Sequence, residues 1–120
     1  MNYPVYVISK GRFDLAAHTS RFLLEDNVSH KIVIEPQEKN QYANRFGEDN
    51  LLVLPFSNLN QGGIPARNWC WEHSLSMGSK KHWILDDNIS GIVKFKEGKR
   101  VKCSAKEAFQ STETFIDSFS

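Results

Sequence analysis

Cysteine is scarce in this chain. Cys70 and Cys103 stand far apart, with no Cys-x-x-Cys pair and no clustered histidines. That argues against a zinc site or a disulfide framework and fits a reducing, cytoplasmic compartment. No apolar run approaches the length of a bilayer span, and Met1-Asn2-Tyr3-Pro4 has neither a basic n-region nor an apolar h-region; neither membrane insertion nor export is expected. An excess of one charge is missing too: fifteen Lys+Arg face fourteen Asp+Glu, a formal charge of +1. The overall basic excess that sequence-independent nucleic-acid binding usually needs is therefore absent, and any such contact must be local. Repeats and low-complexity tracts are also absent.

What remains is a globular composition of 120 residues, 40% hydrophobic, with three Trp, three Tyr and eight Phe. One domain of this length removes about two-thirds of the unfolded chain's surface from water, enough for a core without staples. Tyr3 to Ser9 (YPVYVIS), Lys31 to Glu35 (KIVIE), Leu51 to Leu54 (LLVL) and His82 to Leu85 (HWIL) are short apolar runs closed by turn or polar residues, the pattern of buried strands. Between them lie helical stretches. Thr19 is placed to cap a short helix over 19–25 carrying Phe22, Leu23 and Ala16 on one side; Gln37 to Phe46 is helix-compatible up to Gly47. Ile64 to Met77 has Pro65 in its first turn and Gly78 just beyond its end. Its two tryptophans, Trp69 and Trp71, point to different sides and call for two packing surfaces. Glu97-Gly98-Lys99 reads as a hairpin-like turn, and Ser104 with Glu107 forms a capping box for a final helix. Strands alternating with helices at this spacing predict an α/β fold, an open and mostly parallel sheet with helices on both faces.

In such a sheet ligands bind at the carboxyl ends of the strands. Four polar clusters follow the predicted strands directly: Ser9-Lys10-Gly11-Arg12, Glu35, the Gly62-Gly63 loop and Asp86-Asp87-Asn88. Each has a plain and a chemical reading. The adjacent carboxylates of Asp86 and Asp87 suit a solvated capping turn, or a hard cation such as Mn2+ or Mg2+ that bridges protein and diphosphate. Arg67 and Asn68 sit in the first turns of a helix, as a surface salt bridge and an amide cap or as donors to a base or phosphate. Lys10 and Arg12 flank Gly11 as a solvated basic turn or as pyrophosphate donors, and Glu35 is an exposed strand end or an acceptor for a ribose hydroxyl or pyrimidine imide. His73 and Cys70 read as packing residues.

The ordered set YVISKGR (6–12), IVIEP (32–36), LLVLPFSNLNQGGIPARNW (51–69) and HWILDDNI (82–89) resembles the nucleotide-binding half of GT-A glycosyltransferases and, more narrowly, the TET-associated glycosyltransferases. The resemblance implies a Rossmann-like GT-A domain over 1–120, truncated before the acceptor half. It also implies that Ser9, Lys10 and Arg12 contact nucleoside and diphosphate, Glu35 the base or ribose, and Arg67 the base. Asp86 would take ribose or a metal-linked water and Asp87 the metal directly. Asn88 stands where the family's final Asp is usual, although an amide oxygen can still ligate a hard cation. The implied partners are a nucleotide-sugar donor and, as acceptor, hydroxymethylated pyrimidine in DNA, in a phage setting. Two alternatives remain from the residues alone: a metal-dependent nucleotidyltransferase, and a non-catalytic nucleotide-binding module. A protein–DNA scaffold is disfavoured, because the basic segment Lys94 to Lys106 is modest and interrupted by Glu97.

Overall fold

The computed structural model describes residues 3–119, with the side chains of Leu15, Ala16 and Ala17 outside that description. Four short strands, β1 (Val5–Ile8), β2 (Lys31–Ile34), β3 (Leu51–Val53) and β4 (Trp83–Leu85), form a parallel sheet in the order β3-β2-β1-β4. Parallel strands are covered on both faces, which is why these runs are almost wholly apolar. Val5, Val7, Ile32, Ile34 and Leu51 belong to a core shared with Phe22 and Leu23 of α1 (Phe13–Glu25), Tyr42 of α2 (Lys39–Phe46) and Phe109 of α4 (Ala105–Asp117). The alternate residues Tyr6 and Val33 pack on the other side with Leu54 and with Ala66 and Cys70 of α3 (Ile64–Ser76). The predicted architecture is therefore the one adopted, a Rossmann-like α/β sheet with helices on both faces.

Strand order fixes where a site can lie. From β1 the chain passes through α1 to β2 on one side; from β3 it passes through α3 to β4, on the far side of β1. The direction of winding reverses between β1 and β4, and that reversal parts the connecting segments at the carboxyl edge.

Two local expectations are corrected. Thr19 does not cap a helix: α1 starts at Phe13, and Thr19 is buried inside it. Its hydroxyl is claimed by a tertiary partner, donating to the Asp86 carbonyl at 2.7 Å and accepting from the Ile89 amide at 2.8 Å. Trp71 does not find a packing surface; it is 52% exposed, whereas Trp69 stacks on His73 with centroids 5.1 Å apart. Phe22 and Leu23 are buried as expected, and Ala16 lies outside the described side chains.

The C-terminal segment closes the α1 face of the sheet. Ser104 accepts from the Glu107 amide at 3.1 Å, while the other half of the expected capping box is diverted, Glu107 taking Lys94 at 2.6 Å. Asp26, just past α1, accepts from the Ala105 amide at 2.7 Å, so one helix end anchors the start of the next. The Trp83 ring lies 4.3 Å from Phe109 and nearly parallel to it, and its Nε1 donates to Glu113 at 2.7 Å. Between β4 and α4 projects a two-stranded ribbon, β5 (Ile92–Lys96) with β6 (Lys99–Cys103). Its turn is shorter than expected, since Glu97 and Gly98 alone form it and both have positive φ, the geometry that matches strand twist.

Replacing Thr19 by Val keeps the shape and removes both bonds to the segment 86–89. Because it strands a carbonyl and an amide, the substitution is expected to lower stability by about 2 kcal/mol in urea unfolding; a change within error would show that the hydroxyl does not hold that turn.

Candidate functional site

The register of β1 and β4 builds the site. Val5 lies beside Trp83 and Val7 beside Leu85, so two residues further on Ser9 falls beside Asp87, on the α1 side of the sheet. Asp87 is fully buried, and the bonds that compensate it are specific. Arg12 donates through Nη2 to Oδ1 at 2.6 Å and through Nε to Oδ2 at 3.2 Å, and Ser9 Oγ donates to Oδ2 at 2.8 Å. A fork of two parallel donors is the arrangement guanidinium and carboxylate favour. Since the single proton of Ser9 goes to Asp87, the Tyr42 hydroxyl at 2.6 Å is the donor to Ser9 Oγ, and Tyr42 in turn accepts from the Arg12 amide at 3.1 Å. The chain of bonds thus closes on Arg12 at both ends. Gly11 adopts φ +65° in the same turn, and its amide donates to the buried carboxylate of Glu38. Pleat alternation places Asp86 in the opposite sense to Asp87, and it is exposed.

Beside this network, on the α3 side, a cavity of about 470 Å³ opens at the carboxyl ends of β1, β2 and β3. Ser9, Lys10, Arg12 and Glu35 line it, together with Gly62 and Gly63 of the loop before α3. Lys10 Nζ is 3.5 Å from Glu35. The Glu35 carboxylate also accepts from the Asn58 amide at 3.0 Å and from Gln37 at 2.8 Å, so it pins the loop as well as facing the cavity. Desolvation pulls its pKa upward, but the bonds from Gln37 and Asn58 and the nearby Lys10 outweigh it and hold the carboxyl below its ordinary range.

The other expected site residues lie around this centre. Arg67 is exposed at the rim, close enough to Gly63 that a Cβ there would meet its Nε at 3.6 Å, and Asn68 is exposed one residue on. Arg67, Asn68, Asp86, Asp87 and Asn88 are not among the lining residues. The oxygen donors of Asp86, Asp87 and Asn88 suit a hard cation in kind. Both oxygens of Asp87 are nevertheless taken by Arg12 and Ser9, and no cluster of three acidic, His or Cys residues forms among the described residues. A metal at Asp87 would compete with the Arg12 fork for the same carboxylate.

Sequence reasoning missed Tyr42, Glu38 and Thr19. The first two carry a signal, for they are four residues apart in a polar segment following a strand, one helical turn on a common side. Thr19 gave none. Cys70 is buried with its thiol pushed up to about 12, first of all by desolvation, which leaves it a core residue and no nucleophile. A larger hollow of about 620 Å³ opens at the opposite edge of the sheet, past His30 and His73. These histidines already have partners there, His30 with Ser20 and the Val28 carbonyl and His73 with Tyr6.

The depressed pKa of Glu35 has a definite consequence. Its bonds contribute fully above the ordinary carboxyl value of 4.5 and are lost as pH falls through the lower folded value. In an NMR titration the Asn58 amide resonance should move with a midpoint below the ordinary carboxyl value of 4.5; a midpoint above that value would contradict the loop contact.

A family model described as TET-Associated Glycosyltransferase matches residues 3–120. No curated protein and no solved structure matches the chain. The match spans nearly the whole sequence and includes every strand and loop that builds the cavity, so the chain belongs to the TET-associated glycosyltransferases, a family of sugar-transferring enzymes.

Proposed function

We propose that the chain is the donor-binding part of a GT-A-type glycosyltransferase and that a nucleoside diphosphate sugar occupies the cavity at the carboxyl edge. The observation that carries this reading is the meeting of Lys10, Arg12 and Glu35 with the Gly62-Gly63 loop around one hollow, at the strand ends beside the reversal of winding. Lys10 and Arg12 supply positive charge for the diphosphate, Arg12 with a fork that suits two phosphate oxygens. Half of the Arg12 side chain faces solvent, so an anion can reach it while Asp87 still holds it. Glu35 receives a ribose hydroxyl or a base imide, and Arg67 with Asn68 close the rim over the base. Cleavage of the sugar–phosphate bond leaves negative charge on the diphosphate, and these cations stabilise that charge as it develops.

Mn2+ or Mg2+ belongs to the proposal: the exposed Asp86 and Asn88 would hold it, and Asp87 would join them only if Arg12 released its carboxylate. When bound, such an ion neutralises phosphate oxygens. The acceptor we assign is hydroxymethylated pyrimidine in DNA, in keeping with the family. The commitment of Asp87 to Arg12 favours one competing reading, a nucleotide-binding module that works without metal or transfer.

Calorimetry with uridine diphosphate, with and without Mn2+, tests these statements. Binding is expected to strengthen with metal, to vanish in Asp87→Ala, and to weaken about tenfold in Lys10→Ala, equivalent to about 1.4 kcal/mol. Arg67→Ala should weaken it less. Equal affinity with and without metal removes the ion from the mechanism; absence of binding to any nucleoside diphosphate overturns the donor site itself.

A further inference from the structure

The ribbon of β5 and β6 lies outside everything described for the donor. Only its base enters the core, through Ile92 and Cys103. Beyond that the strands stand free, with Val93 56% and Phe95 74% exposed. The radius of gyration is 15.1 Å, where a compact chain of this length has about 14 Å.

Five of the fifteen cationic residues fall within Lys94–Lys102, against the single acidic Glu97, in a chain whose overall charge is +1. The remainder of the molecule is therefore net negative. Lys94 is paired with Glu107, while Lys96, Lys99, Arg100 and Lys102 form no ion pair among the described residues. Cross-strand register sets Lys96 directly opposite Lys99, an arrangement that costs stability in the free protein and is relieved by an anion between them. It also sets Phe95 opposite Arg100 and Val93 opposite Lys102, so one face alternates apolar groups with cations. Five residues span about 17 Å and two strands lie about 5 Å apart, dimensions that fit a major groove about 12 Å wide.

We propose that the β5–β6 ribbon is a docking arm for duplex DNA: the Phe95 and Val93 face enters the groove together with Arg100 and Lys102, which meet the phosphates of its walls, while Lys96 and Lys99, on the opposite face beside the turn, take phosphates at its rim. This rests on the reading that the acceptor is a base carried in DNA and supplies what that reading lacks, a surface that holds the polymer.

Fluorescence anisotropy with a labelled duplex across a salt series, on the full chain, tests the arm without any need for transfer activity. The wild-type protein should bind with an affinity that falls steeply with salt. The combined Lys96→Ser, Lys99→Ser, Arg100→Ser variant should bind at least about tenfold more weakly, with the log–log salt slope reduced by about 0.9 for each phosphate no longer neutralised. Lys99→Glu is the second variant. It gives Lys96 an opposite charge and should raise the melting temperature while weakening DNA binding, which separates docking from folding. Wild-type and variant proteins of equal affinity, no wild-type binding at low salt, or binding to phosphatidylserine vesicles but not to duplex would each overturn the proposal. Uridine diphosphate calorimetry on the same samples keeps the two ideas apart: loss of nucleotide binding in the wild type strikes the donor site, whereas the ribbon stands or falls on the DNA titration.

Discussion

A carboxylate with no access to water has to be neutralised where it stands, and Asp87 is such a group. Leaving it uncompensated would cost several kcal/mol, so the residues around it are not free to vary in position. Arg12 meets both of its oxygens and Ser9 meets one. Because Ser9 directly follows β1, Arg12 closes the turn that leads into α1 and Asp87 lies two residues past β4, this charge ties the two strands together at the edge where the winding reverses. Tyr42 adds α2 to the same set. The carboxyl edge of the sheet is held by polar bonds where the body of the sheet is held by apolar packing.

The turn that carries Asp86 and Asp87 is secured from a second direction by Thr19 in α1. The cavity wall has an equivalent anchor in Glu35, which reaches from the end of β2 to the backbone of the loop before α3. A polar group at the end of each central strand therefore fixes a neighbouring loop as well as facing the site. Loops held in this way present their donors already oriented, which lowers the ordering cost of binding.

The strands and α3 could be read from sequence because their signals are local. A run such as KIVIE has one use in a small α/β chain, and Pro65 with Gly78 brackets α3 at both ends. The convergence of Ser9, Lys10, Arg12 and Glu35 on one hollow followed from strand order, since residues immediately after parallel strands share an edge. Burial at that edge was less accessible. Asp86 and Asp87 look equivalent in sequence, yet the pleat sends one outward and the other into a guanidinium fork. The resemblance already gave the two different roles, but the fork of Arg12 on Asp87 has no local signal, since it joins residues 75 positions apart. Thr19 escaped for a different reason: an isolated threonine near a helical run reads as a cap, and only the tertiary structure supplies the backbone groups that use its hydroxyl.

The position of Arg12 makes anion binding and folding draw on one group. In the proposed reading, a diphosphate that attracts this guanidinium weakens the compensation of Asp87, and the loss is small only if another positive charge approaches the carboxylate as the arginine leaves. Anion and cation binding would then favour each other, and linkage requires the effect to be equal in both directions. Lys10, paired at 3.5 Å with Glu35 and half exposed, is under no such constraint and can turn to a phosphate at little cost. The two basic residues of one turn thus differ in kind: Lys10 is held by one half-exposed ion pair, and Arg12 is a donor whose release must be matched by charge elsewhere.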